Sequence, residues 1–324
     1  MRLLIDTDPG IDDALALLLA LASPGIPIEA ITAVAGNVPV DQAISNVFRI
    51  LDVVRPVSTP RVARGAAVPL KGALVTAVHV HGDDGLGNLD RFVEPDGRPR
   101  YPALSHTVPM SDGADVILDA AERFGAELVV VALGPLTNLA TALERDARRL
   151  SRVGRIVVMG GAVAVPGNVT PAAEFNFYVD PEAAAAVFEA GLPLELVPLD
   201  VTRQVVLRQT ELAERLSRCP SRITRFMSDF TLYGFALGAG RGHGGIVLHD
   251  PLAIGVALDP SLVRFEELHV EIECEGRIAR GLALADRREI PSYKKRRPNC
   301  RVAMSVDAPR FLQLFLERLC PASS

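Results

Sequence analysis

The stretch Leu3–Ala22, LLIDTDPGIDDALALLLALA, sets four aspartates, Asp6, Asp8, Asp12 and Asp13, directly before an unbroken apolar run from Ala14 to Ala22. Leu3–Asp6 reads as a buried strand, Pro9 and Gly10 turn the chain, and the apolar run reads as a buried helix. Strand, turn and helix in immediate succession open a βαβ unit. In such a unit Asp6 and Asp8 emerge at the carboxyl end of a parallel strand, the edge at which open α/β sheets bind ligands. Asp12 and Asp13 then stand at the helix start, where the helix dipole favours negative charge. The apolar run is about half the ~20 residues of a membrane-spanning helix, and aspartates rather than lysines precede it, so neither a span nor a signal peptide is expected.

The pattern repeats downstream. Apolar runs at Ile28–Ala35, Leu128–Ala132, Ile156–Met159 and Leu194–Pro198 predict strands, and helices are expected over Asp12–Ala22, Val40–Val54, Ser111–Phe124, Pro135–Arg145 and Pro181–Ala190. Ser111 is a candidate cap, Pro135 suits a first helical turn, and Gly125 and Gly191 suit helix stops. The fold class is therefore α/β: an open, mostly parallel sheet flanked by helices. Beyond Thr202 the pattern predicts helices at Gln209–Leu216, Ser221–Leu237 and Pro251–Leu258. Strands at Arg264–Glu273, Ala279–Ala285 and Arg301–Val306 and a closing helix at Ala308–Leu319 follow. No internal repeat or linker-like stretch interrupts the chain, and one domain over 1–324 is expected. Irregular stretches at Pro69–Pro109, Gly160–Tyr178 and Gly238–Leu248, rich in Gly, Pro or His, are long enough to be functional loops.

The 324 residues are 49% hydrophobic with no Trp, which suits an aliphatic core of helices packed on a parallel sheet. A net charge of -5 leaves no footprint for nucleic acid. Arg287–Arg288 and the KKRR run at Lys294–Arg297 read as a solvated loop. Cys219, Cys274, Cys300 and Cys320 have no metal-type spacing and signal no disulfide framework, so a cytoplasmic location fits best.

Asp12 as a helix cap and solvated turn aspartates would explain one or two of the carboxylates. Four within one turn repel one another, and a bound cation removes that cost. All-oxygen donors with no interleaved His or Cys favour a hard ion, Ca²⁺ or Mg²⁺. A strand ending in Asp-x-Asp also resembles the haloacid-dehalogenase-like phosphatases, whose first aspartate, here Asp6, is a nucleophile. Pro9, Gly10 and the Asp12–Asp13 pair depart from that pattern. A non-catalytic nucleoside or ribose binder is a further alternative.

The string DTDPGIDDALAL resembles the signature of the nucleoside hydrolases of the inosine-uridine preferring type. AVAGNV around Asn37, HGDDGLGN around His81, ALGPLTNLA around Gly134, PGNVTPAAEFNFYVDPEAA up to Ala184 and LHDPLA around Asp250 follow in the family's order. The resemblance implies hydrolysis of the N-glycosidic bond of ribonucleosides to base and ribose, with a calcium ion at the bottom of the pocket. It implies Asp8, Asp13, Asp250 and the backbone carbonyl of Leu133 as calcium ligands. Asp12, Asn37, Asn168, Glu174 and Asn176 are then expected around the ribose hydroxyls, with Asp250 also facing the substrate. Asp8 is the expected general base for a metal-held water, with an oxocarbenium-like transition state.

His249, beside Asp250, is the candidate acid for the leaving base, and His81 is a second imidazole near the pocket. Either could also be a structural histidine, and no role is expected for His79, His106, His243 or His269. Phe175, Phe230 and Tyr233 are the aromatics best placed to stack on a base, core packing being the alternative for the last two. Arg203 stands where histidine is expected in many relatives, outside the metal set, with an effect on local structure or a subunit contact. A homodimer or homotetramer is the expected assembly. The base preference is left open.

Overall fold

The computed structural model describes residues 1–103, 111–240, 242, 244–288 and 296–320. His106, His243, Lys294, Lys295 and part of the Pro69–Pro109 stretch lie outside the described residues.

In chain order the elements begin with β1 (Arg2–Thr7), α1 (Ile11–Leu21), β2 (Ile28–Ala33), α2 (Val40–Val54), β3 (Arg61–Arg64) and the one-turn α3 (Val78–His81). Next come α4 (Gly113–Phe124), β4 (Leu128–Ala132), α5 (Thr137–Leu150), β5 (Arg155–Met159), α6 (Phe175–Val179), α7 (Pro181–Glu189), β6 (Leu194–Val197) and the short α8 (Leu199–Thr202). The rest comprises β7 (Val206–Leu207), α9 (Gln209–Ser217), α10 (Arg222–Gly240), β8 (Ile246–Val247), α11 (His249–Leu258), β9 (Val263–Leu268), β10 (Val270–Ile272), β11 (Ala283–Ala285), β12 (Cys300–Val306) and α12 (Ala308–Leu319).

Eight strands form one sheet in the order β3-β2-β1-β4-β5-β6-β12-β9. Every neighbouring pair is parallel except β12 with the edge strand β9. The strand order reverses between β1 and β4, so the connections leaving those two strands diverge and open a crevice at their carboxyl ends.

Core composition explains the layering. β4 is buried along its whole length, as a central parallel strand covered on both faces must be. Leu15, Leu17, Leu18 and Leu19 of α1 are at most 1% exposed. The helix is apolar all round because α2, α10, α11 and α12 surround it. Each such leucine contributes about 1.5–3 kcal/mol on burial, which fixes the entry of α1, and with it the aspartates, against the sheet.

Several expectations need correction. α4 begins at Gly113, and the cap is Asp112 rather than Ser111: its Oδ1 accepts from the Ala114 and Asp115 amides at 2.9 and 3.3 Å. α5 begins at Thr137, leaving Pro135 outside its first turn. The expected strand over Arg264–Glu273 is broken at His269: β9 edges the main sheet, whereas β10 pairs with β11 in a separate ribbon. The cysteines are not all unpaired, since Cys219 and Cys320 form a disulfide with Cα atoms 6.0 Å apart, within the usual reach of such a bond.

Candidate active site

The floor of the crevice is built at the carboxyl end of β1. Asp13 lies in the first turn of α1 and is fully buried. Its Oδ1 accepts the Thr7 hydroxyl at 2.6 Å, and its Oδ2 accepts the Gly10 amide and the Asn37 side-chain amide, both at 3.0 Å. Asp13, not Asp12, therefore ties off the start of α1. Asp8 is also fully buried; its Oδ2 accepts the Asn37 backbone amide at 2.6 Å, but its Oδ1 has no hydrogen-bond partner among the described residues.

Two glycines give Asp8 its space. A Cβ on Gly36, beyond β2, would stand 2.0 Å from Asp8 Oδ2, and one on Gly134, beyond β4, would stand 2.5 Å from Oδ1. Neither distance is compatible with a side chain, so the strand ends flanking β1 close around this carboxylate.

Asp250, at the start of α11, completes the cluster: carboxylate oxygens of Asp12, Asp13 and Asp250 that could hold an ion lie within 4.8 Å of one another. Burial, reinforced by the charges of Asp12, Asp13 and Asp8, pushes the Asp250 carboxyl well above its ordinary value. Burial, then the charge of Asp13, does the same to Asp8 and lifts Asp12 to about 7. Such a group resists ionisation unless a cation offsets the desolvation and mutual repulsion. The donor set fits a hard divalent ion: all ligands are oxygen, three carboxylates converge, and a fourth presents a buried oxygen with no partner among the described residues.

Above this floor lies a cavity of about 700 Å³. Of the residues singled out in the sequence, Asp12, Asn37, His81, Leu133, Asn168, Glu174, Phe175, Asn176, His249 and Asp250 line it. Asp8 and Asp13 lie beneath the surface. The Leu133 carbonyl, at the end of β4, accepts the Asn176 amide at 2.7 Å and retains a second lone pair. Asn176 Nδ2 also donates to the Met159 carbonyl at 3.2 Å, so its Oδ1 is left as an acceptor on the cavity wall. Glu174 caps α6, taking the Asn176, Phe177 and Gly161 amides. Those bonds oppose the burial that raises its pKa. Asn168 is exposed, and its side-chain amide bonds to nothing among the described residues.

Two of the imidazoles singled out in the sequence line the cavity. His81 Nδ1 accepts the Ile11 amide at 3.0 Å and lies 3.9 Å from Asp12 Oδ1. His249 Nδ1 lies 2.7 Å from the hydroxyl of Thr202, a fully buried residue at the end of α8. His79 also reaches the cavity rim, whereas His269 is held by the Arg297 carbonyl and Glu271 on β10.

Three expectations change here. Phe230 is fully buried, its ring centroid 4.9 Å from that of Phe226, and belongs to the core. Tyr233 packs against that core with its hydroxyl on the His79 carbonyl, so Phe175 alone of the three aromatics lines the cavity. Arg203, expected outside the metal set with an effect on local structure or a subunit contact, lines the cavity and donates to the Gly167 carbonyl at 2.8 Å, next to Asn168. Asp6 is fully buried, away from the cavity lining, with Oδ1 held by the Thr32 hydroxyl and by Asn138 Nδ2. Burial raises its pKa to about 7. Asp8 is equally buried, but it is bonded to the backbone of the cavity residue Asn37 and feels the charge of Asp13. Asp6 is instead bonded to Thr32 and Asn138, outside the lining, which weighs against the phosphatase alternative.

An open α/β sheet with a carboxylate floor, amide walls and imidazoles at its switch point has the architecture of an enzyme acting on a small polar ligand. The family model of the inosine-uridine preferring nucleoside hydrolases matches residues 3–313, and the chain belongs to that family. It is accordingly a hydrolase of N-glycosyl bonds, acting on ribonucleosides. The pyrimidine-specific ribonucleoside hydrolase RihA of Escherichia fergusonii is 37% identical over 98% of both chains. Among solved structures, the purine-preferring ribonucleoside hydrolase from Gardnerella vaginalis superposes with a TM-score of 0.87 at 32% identity, covering 99% of this chain and 98% of the other. A plant nucleoside hydrolase, PpNRh1, gives 0.87 at 36% identity, covering 99% of each.

Proposed function

We propose that the carboxylate floor holds a calcium ion and that the reaction is calcium-dependent hydrolysis of ribonucleosides to free base and ribose. The observation that carries this reading is the buried Oδ1 of Asp8, unpartnered among the described residues, beside the Asp12–Asp13–Asp250 triad. Asp8, Asp13, Asp250 and the Leu133 carbonyl are the proposed ligands. A divalent cation held there supplies oxygen coordination for the vicinal ribose hydroxyls and acidifies a water.

The remaining work falls to the protein. Asp12, Asn37, Asn168, Glu174, Asn176 and Asp250 orient the sugar through its hydroxyls, and Phe175 packs beside the base. Asp8 accepts a proton from the attacking water as its oxygen bonds to C1′. The C1′–N bond breaks with the electron pair leaving on the base, through an oxocarbenium-like transition state. His249 and His81 supply hydrogen bonds to that departing base. We further propose one domain over 1–324, a homodimer or homotetramer, and a cytoplasmic location. No described helix is long and apolar enough to cross a membrane.

Incubation with a panel of purine and pyrimidine ribonucleosides, read as free base and reducing sugar, tests the reaction. Equimolar release of both is expected. Binding of nucleosides with no reducing sugar after long incubation would establish the binder instead.

A further inference from the structure

We propose that Thr202 is a positioning residue that fixes the ring of His249 with Nδ1 toward the Thr202 hydroxyl and an Nε2–H toward the leaving base. The inference rests on the reading of His249 given above. Thr202 is fully buried, and its hydroxyl lies 2.7 Å from His249 Nδ1. That nitrogen is the hydroxyl's only hydrogen-bond partner among the described residues. A buried hydroxyl proton without an acceptor is costly, so the O–H donates to Nδ1 and the ring proton sits on Nε2.

The Nδ1 of His81 is engaged differently, by the Ile11 amide. An Nε2–H aimed at the base stabilises negative charge developing on it through a hydrogen bond.

The placement of Thr202 supports this. α8 holds three parts of the site: the Asp200 carboxylate takes the Val163 and Ala164 amides at 2.9 and 2.7 Å, Arg203 takes the Gly167 carbonyl, and Thr202 takes His249. The imidazole is therefore referenced to the element that holds the loop carrying Asn168.

The test compares Thr202→Val, Thr202→Ser and His249→Ala on uridine, inosine and 4-nitrophenyl riboside, whose leaving group needs little assistance. Removing an orienting partner of this kind typically costs about 10–100-fold in activity. Thr202→Val is expected to lower kcat on the nucleosides by that factor, with KM within about twofold and nitrophenyl riboside turnover little changed. Thr202→Ser is expected to restore nucleoside turnover. Nitrogen-15 NMR of the wild-type protein is expected to show His249 protonated at Nε2.

Wild-type turnover by Thr202→Val, equal loss on all three substrates, or a wild-type proton on Nδ1 would overturn the proposal. His249→Ala separates the two levels of inference. If it spares the nucleosides, the role of His249 itself fails; if it impairs them selectively while Thr202→Val does not, only the role of Thr202 fails.

Discussion

Asp8 combines full burial, neighbouring carboxylates, an oxygen unpaired among the described residues, and glycines on both sides. Asp8→Ala removes that buried carboxylate, so the variant is expected to fold while turnover falls by about 10²–10⁴-fold, the range for a lost general base. Thermal unfolding beside steady-state kinetics checks this, and near-normal turnover would remove Asp8 from the chemistry. Gly134→Ala acts on the same atom from outside, because its Cβ would collide with Oδ1. Activity within twofold of wild type would show that the strand end yields to a methyl group. The aspartates are legible in the sequence because four carboxylates in one strand-to-helix turn repel one another until a cation joins them. The fates of Asp6 and Phe230 are not, because burial depends on which distant side chains, Thr32 and Asn138 or Phe226, close over them.

At the scale of elements, strong patterns carry through to the fold and short ones do not. α2 and α12 run as expected, from Val40 to Val54 and from Ala308 to Leu319, because apolar residues recur there at helical spacing. β3, only Arg61–Arg64, carries too little apolar alternation to be recognised, and β10 follows β9 so closely that two strands of different sheets read as one. α8 is likewise too short to show a period, yet it brings Arg203 to the cavity. Arg203→Ala removes the bond to the Gly167 carbonyl, worth about 1 kcal/mol. It is expected to raise KM for ribonucleosides about fivefold with kcat within twofold. A fall in kcat with KM unchanged would place Arg203 in the chemistry rather than in loop placement.

At the scale of the whole molecule, the reversal of strand order between β1 and β4 explains why the aspartate turn and the Leu133–Gly134 turn meet in one crevice. Alternating strands and helices imply the sheet, but strand order is set by packing across the whole domain, and so the meeting of Asp8 with Gly36, Gly134 and Asp250 comes only with the fold. The same long-range closure joins Cys219 to Cys320 across 101 positions. Thiol titration of the oxidised, unfolded chain is expected to find two free thiols, Cys274 and Cys300. Reduction is expected to lower unfolding stability by about 2–4 kcal/mol. Four titratable thiols without reductant would contradict the pairing.

In the mechanism proposed, the buried carboxylate cluster serves nucleoside hydrolysis by holding calcium. The direct measurement is ribose release from a ribonucleoside by protein stripped of metal with a chelator, assayed before and after calcium is returned, with bound metal quantified in both samples. Loss of turnover on stripping and its recovery with about one calcium per chain, in line with one cluster of hard oxygen ligands, is the predicted result. Undiminished ribose release from protein shown to carry no metal would contradict the calcium dependence.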